Sequence, residues 1–390
     1  MSPATLRDAA AIATSSETVA RVFDPRRNSL NAQRLVLATL VIVSHSWPIS
    51  RGLGDPVVLG VSLGGWAVTG FFAISGFLIY GSAQKSRLGP YIVARVRRIY
   101  PGFLVSLVVV GFVFAPLSTL VAGGTYSPAS GLAFVIRNSA LYLHSTSVGD
   151  TLGGVPLPRD WNGSLWTLWY EFACYLGAAA LVRVGAAGTA VRRGVVLASW
   201  AAAAAILTVC DLTGTALQPR QLQTILTLGV FFLGGAVLRA FAAKVPMSGL
   251  GAGVCAIVVV LPAFVPGAGQ LRSLAVPYLC IWLATVIREP AWFTRNDYSY
   301  GMYIFAFPVQ QMLATAGFKA GAPWMFAVVS VVGTVPLAAL SWHLVESRFL
   351  RRESARGRRT SAGGLSTTSP SPLRGLISKR APGRAMRQAL

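Results

Sequence analysis

The chain has 390 residues, 54% of them apolar and only 12% charged, where a soluble protein carries about 25% charged residues. With a mean hydropathy of +0.60, this composition excludes a disordered chain, a fibrous repeat and an ordinary soluble enzyme, and it points to an all-α polytopic membrane protein. Lys and Arg number 34 against 12 Asp and Glu, a net charge of +22. Such a balance would suggest a nucleic-acid partner unless membrane topology accounts for it.

Residues 1–29 are polar and read as a cytoplasmic N-terminal segment without a cleavable leader, because the first apolar run begins after them. A spanning helix needs about 20 mostly apolar residues. Ten segments approach or meet that length: Leu30–Ile49, Val57–Tyr80, Pro101–Val121, Ser164–Val182, Gly194–Leu212, Leu222–Phe241, Gly249–Val265, Leu274–Ile287, Tyr298–Ala316 and Trp324–Val345. The stretch Leu132–Leu143 contains Arg137 and is too short to span, so it is expected to be interfacial or re-entrant. Residues 30–347 then form one transmembrane bundle, and 348–390, rich in Arg, Ser, Gly and Pro, read as a disordered basic cytoplasmic tail.

The basic residues fix an orientation. With the N-terminus in the cytoplasm, 27 of them fall inside, six fall outside, and Arg34 lies within the first span. That is a strong positive-inside asymmetry, and it places both termini in the cytoplasm. The charge is therefore a topology device facing membrane lipids, and no nucleic-acid partner is expected. Arg outnumbers Lys thirty to four, which suggests a GC-rich genome and hence the bacterial inner (cytoplasmic) membrane. Four cysteines without a CxxC pair and three scattered histidines give no basis for a metal site.

Ionisable residues inside a membrane are costly and are functional candidates by default. The first span carries Arg34 and His45, eleven positions apart, which puts them on one helix face with about 16.5 Å of rise between them. Snorkelling of Arg34 and an interfacial place for His45 are the bland alternative. Ser75-Gly76 is a polar site that by itself reads more often as helix packing than as chemistry. Glu171, about one and a half turns into the fourth span, needs a partner, and Arg34 or the Arg95 cluster could supply it. Arg95-Val-Arg97-Arg98 lies ahead of Pro101, as a membrane anchor or a phosphate clamp.

The ordered set Arg34-x10-His45, Phe71-Phe-x-x-Ser75-Gly-Phe77, Arg95-x-x-Arg98-Ile-x-Pro101 and Ser164-Leu-Trp-Thr-Leu-Trp-Tyr-Glu171 resembles the acyltransferase-3 family of integral membrane acyltransferases. Asp297-Tyr-Ser-Tyr-Gly-Met-Tyr-Ile-Phe305 and Ser341-Trp-His-Leu-Val-Glu346 resemble its last two helix motifs. The resemblance implies a ten-helix enzyme that moves an acyl group, commonly acetyl, from cytoplasmic acyl-CoA to a hydroxyl of an extracytoplasmic glycan or glycolipid. It also implies that Arg34 and His45 are an essential pair and that Arg95 and Arg98 serve the CoA donor. Many members have His where this chain has Ala306.

Acyl transfer to a hydroxyl needs a base and something to steady the oxyanion. His45 is the expected base, Arg34 the group on the thioester or its oxyanion, and Glu171 an orienting carboxylate. Arg95 and Arg98 are expected on the donor phosphates, with Ser75 and Tyr170 lining the substrate path. Acyl-CoA, acetyl-CoA first, is the expected donor substrate, with no bound cofactor. The alternative is a transporter or flippase for a lipid-linked sugar or acyl group, which needs intramembrane charge but neither base nor thioester site.

Overall fold

Apolar segments that leave water must satisfy their own backbone, and helices do this within one segment. In the computed structural model, which describes residues 17–350 apart from 291, 294, 295 and 319–321, each of the ten apolar segments contains a helix, although the second opens with a short β-hairpin before its helix starts at Leu63. The helices are α1 (Leu30–Arg51), α2 (Leu63–Lys85), α3 (Leu88–Val109), α4 (Pro128–Asn138), α5 (Thr167–Val184), α6 (Thr189–Thr213), α7 (Arg220–Ala240), α8 (Gly249–Val260), α9 (Arg272–Val286), α10 (Ser299–Thr315) and α11 (Pro323–Ser341). The only described sheet is a two-stranded hairpin, β1 (Val57–Val58) with β2 (Val61–Ser62). Its two-residue turn, Leu59-Gly60, has positive φ at both positions, as a tight primed turn requires.

Among the described residues, five helical stretches are long and apolar enough to cross a membrane: Leu63–Lys85, Leu88–Ala122, Thr189–Thr213, Arg220–Ala240 and Pro323–Leu350. The other predicted segments are shorter or more polar. Helix α1 has the length, 22 residues, but it carries Asn31, Gln33, Arg34, Ser44, His45 and Ser46. The expected short stretch is α4, eleven residues packed where Gly131 meets the Gly111 carbonyl.

Boundaries differ from the sequence reading where polar residues continue a helix. The third helix begins at Leu88, not Pro101, and runs on through a π-turn at Val110–Phe114 to Ala122. Arg95 and Arg98 are thus one turn apart on a helix face. Pro101 sits inside the helix, a position tolerated where neighbouring helices support the backbone. The N-terminal segment is anchored to the bundle from Glu17 onward. Val19 N–H bonds to the Val245 carbonyl, Met247 N–H to the Glu17 carbonyl, and Val19 and Phe23 are buried. Residues 1–16 and the tail from 351 onward lie outside the described residues.

Helices α2 and α7 form the centre. Gly76 rests on the Phe232 carbonyl, and Gly235 rests on the Ala73 carbonyl. A methyl group at either position would overlap backbone, so glycine is what lets these two helices touch. Helices α1, α10 and α11 pack to one side. Helices α1 and α10 run in the same direction, with Arg34 facing Asp297 at one end and His45 facing Phe307 at the other.

Candidate active site

Helix α1 is continuous from Leu30 to Arg51, so the stripe predicted from spacing exists, and about 16.5 Å of helical rise separates Arg34 from His45. The two cannot contact one reacting atom.

At the His45 end, the imidazole Nδ1 lies 3.6 Å from Asp55 Oδ1. Ser44 Oγ donates to the same oxygen at 2.8 Å and accepts from Gly64 N–H at 2.9 Å, tying the loop after α1 to the start of α2. Pro48, inside α1, cannot donate to the carbonyl four residues earlier, that of Ser44. Phe307 meets the imidazole edge to face, with centroids 5.3 Å apart. One turn further along α10, Gln310 Nε2 donates to the Ile42 carbonyl at 2.9 Å and to Ser46 Oγ at 3.0 Å. Gln311 Nε2 donates to the carbonyls of Leu157 and Asp160 at 2.9 and 2.7 Å. His45 therefore has a carboxylate and a ring beside it, and two amides fix the α1 backbone and the loop nearby.

Two carboxyls in this region behave differently. The His45 imidazole holds Asp55 below the usual carboxylate range, against the opposing pull of partial burial, and Ser44 adds to the effect. Burial pushes Asp160 up to about 6, with the Asn162 N–H and the His45 charge pulling the other way. Gly163 is packed so tightly that an added Cβ would meet both Asp160 Oδ2 and the Phe307 ring. Both side-chain polar atoms of Asn162 and the Oε1 atoms of Gln310 and Gln311 are buried without a protein partner, leaving hydrogen-bonding capacity at the His45 end.

At the Arg34 end, Asp297 Oδ2 accepts from Arg98 Nη2 at 2.6 Å and lies 3.8 Å from Arg34 Nη1. Asp297 Oδ1 accepts from the Ser299 hydroxyl and N–H at the start of α10. Arg98 Nη1 is 4.0 Å from Glu346 Oε2, and Glu346 Oε1 accepts from Ser341 Oγ at 2.8 Å. Glu346 ends a π-turn, Trp342–Glu346, a helix irregularity often found where a side chain is aimed at a site. Four separate sequence motifs thus meet in one ionic cluster.

Glu171 lies one turn into α5 and takes neither arginine as an ion-pair partner among the described residues. It accepts from Ser75 Oγ at 3.1 Å and from Tyr175 OH at 2.5 Å. Arg95 shares that tyrosine from the other side. Its guanidinium sits 6.0 Å from the Tyr175 ring and 5.8 Å from the Tyr91 ring, and its Nε is buried without a partner. Arg98 and Arg95 therefore differ, since the first is committed to carboxylates and the second is not. Tyr170 packs against Trp166 and Trp169 at the His45 end of α5, away from the ionic cluster.

Sequence reasoning missed Asp55, Asp160, Phe307, Gln310 and Gln311. Adjacent glutamines in an apolar span were a readable signal, since polar groups there need a reason. Asp55 and Asp160 lie in loops, where a carboxylate carries no such signal.

A family profile described as an acyltransferase domain matches residues 27–343. The chain belongs to the acyltransferase-3 family. It is 29% identical over 343 residues to a protein named O-acetyl transferase from Shigella phage Sf6, covering 84% of this chain and 98% of the relative. It is 28% identical over 366 residues to nodulation protein 10 of Rhizobium leguminosarum bv. viciae, covering 86% of this chain and 96% of the relative. No solved structure matches the chain. The acyltransferase-3 match spans both ends of the site, from before Arg34 to beyond Asp297.

Proposed function

We propose that this acyltransferase is a multipass O-acyltransferase that moves an acyl group, acetyl first, from cytoplasmic acyl-CoA to a hydroxyl of an extracytoplasmic glycan or glycolipid. Family membership and the name of the phage relative support transfer to oxygen. In this reading ten helices cross the bacterial inner membrane with both termini cytoplasmic. The basic asymmetry of the sequence supports that orientation. The Arg34 end then faces the donor and the His45 end faces the acceptor.

The observation that carries the reading is the separation of a carboxylate-paired imidazole from a cationic cluster along one unbroken helix. A donor whose charged nucleotide stays in the cytoplasm while its thioester reaches the far leaflet requires that separation, and the long pantetheine arm of CoA can bridge it. Arg95 holds donor phosphate. Arg98, locked on Asp297 and Glu346, positions Asp297 and through it Arg34, which borders the donor path. Glu171 fixes Tyr175 and Ser75 between the two ends.

At the His45 end, Asp55 holds the Nδ1–H tautomer and leaves Nε2 as the base. Nε2 takes the acceptor hydroxyl proton as the oxygen attacks the thioester carbonyl carbon. The C–O bond forms, the C–S bond breaks, and the departing CoA thiolate is protonated by the imidazolium. A thioester is already activated, so one base suffices for transfer without a covalent enzyme intermediate.

The test compares surface glycans, by mass spectrometry, from cells carrying the wild-type protein, His45→Ala or no protein. An added acyl mass with wild type only is expected. Equal acylation with His45→Ala would remove the base assignment, and equal glycans in all three would remove the acceptor class.

A further inference from the structure

Beside the His45 end lies a cavity of about 190 Å³ whose lining includes Tyr142, Trp166, Tyr170, Arg220, Gln221 and Thr224. It combines three aromatic rings with a guanidinium, an amide and a hydroxyl, which are the two kinds of surface a sugar ring needs. The C–H faces of a pyranose lie against aromatic rings, and its hydroxyls take directed hydrogen bonds. The rings are held in place. Tyr142 packs against His144 and Trp169 with centroids at 4.8 and 5.9 Å, and Trp166 packs on Tyr170 at 5.7 Å. Gln221 Nε2 donates to Tyr142 OH at 3.2 Å, so the polar side of the cavity is oriented by the aromatic side. None of the ion pairs among the described residues engages Arg220, which leaves its donors for a ligand.

The cavity is also close to the base along the chain. A Cβ at Gly163 would meet Asp160 and the Phe307 ring, and Phe307 packs on His45. Trp166 is three residues further on, at most about 11 Å even if that stretch were fully extended. The cavity thus lies on the His45 side of the bundle, at the start of α5.

We infer that the Tyr142–Trp166–Tyr170 cavity is the subsite for a pyranose ring of the acceptor, with Arg220, Gln221 and Thr224 reading its hydroxyls. The inference rests on the acceptor side of the function proposed above and names its substrate class and recognition residues.

Binding and transfer are measured separately. The full chain in lipid nanodiscs is examined by saturation-transfer NMR with methyl α-glucopyranoside and methyl α-rhamnopyranoside as probes and sorbitol as the open-chain control. Saturation is expected for at least one pyranoside and not for sorbitol. Trp166→Ala should weaken the binding about tenfold, as loss of a ring contact does, and Arg220→Gln should weaken it as well. Tyr142→Phe, which keeps the ring, should weaken it less than Tyr142→Ala. If no pyranoside is preferred over sorbitol, or if Trp166→Ala and Arg220→Gln both bind like wild type, the cavity is not a sugar subsite and its rings are interfacial anchors. Loss of transfer in wild type with pyranoside binding intact would instead count against the proposed reaction, so the two failures are distinguishable.

Discussion

His45 Nδ1 faces Asp55 Oδ1 at 3.6 Å, and Ser44, the residue before the histidine, donates to that same carboxylate oxygen at 2.8 Å. The carboxylate comes from a loop, yet both groups that fix it lie in α1, and Gly64 N–H fixes Ser44 in turn. The imidazole is thereby steered from one side by a negative charge. Contacts of this kind are often long before substrate arrives and tighten in the reacting complex.

Asp55→Asn keeps the shape and removes the charge. A positioned base contributes about 10²–10⁴-fold to rate, and without its carboxylate the imidazole loses tautomer control. We expect kcat to fall at least about tenfold with little change in KM for acyl-CoA, measured with purified enzyme. A larger effect on donor KM than on kcat would place Asp55 on the donor path instead.

Asp160 gives a pH dependence. Burial raises its carboxyl to about 6 from an ordinary value of 3.8, so the folded protein holds this proton more tightly than the unfolded chain does. Its contribution to stability is full below about pH 4 and is lost as pH rises through about 6. Asp55, shifted the other way, stays ionised across that window. Asp160→Asn should therefore flatten the fall in thermal stability between about pH 4 and 6, each unit of pKa shift corresponding to about 1.4 kcal/mol. An unchanged pH profile of melting would show that Asp160 is not the titrating group.

Much of this arrangement was legible in the sequence because a membrane penalises the features that mark it. Arg34, His45 and Glu171 stand out against apolar runs, and their placement on helices follows from length and period alone, whereas Arg95 and Arg98 read as preceding the third span and lie inside its helix. The pairings were not legible. Glu171 was expected to meet an arginine, but Ser75 and Tyr175 satisfy it, because tyrosine at one helical turn is a closer donor than a cation on another helix. Arg95 and Arg98 read as equivalents at i and i+3, yet only Arg98 reaches Asp297 and Glu346. Those acids arrive from positions some 200 and 250 residues away in sequence, a tertiary contact that no local pattern encodes.

Asp297 sits between two guanidiniums, 2.6 Å from Arg98 and 3.8 Å from Arg34, and its side chain is only 11% exposed. Burial alone would raise its carboxyl, but the two arginines and Ser299 bring it below the usual range. Asp297→Asn would leave the cations facing each other with little solvent. Breaking a buried pair in this way costs about 3–5 kcal/mol. We expect a clear loss of thermal stability in detergent, and partial recovery in the double variant Asp297→Asn with Arg98→Gln, which removes the stranded charge. Full stability of Asp297→Asn would show that the cluster does not hold α1, α3 and α10 together.

Arg95 and Arg98 should separate in experiment as they do in space. Arg95 has aromatic rings beside it, no carboxylate among the described ion pairs and a buried Nε without a partner. A phosphate contact to such a group is worth about 1.5–3 kcal/mol, the scale of a charged hydrogen bond. Arg95→Gln should therefore raise KM for acyl-CoA at least about tenfold while the melting temperature moves little. Arg98→Gln should act in the opposite sense, lowering stability through stranded Asp297 and Glu346 and changing donor KM less. Both are read from one set of purified variants by donor titration and thermal unfolding. If Arg98→Gln alone weakened the donor while Arg95→Gln alone destabilised the fold, the donor site would have to be moved onto the ionic cluster.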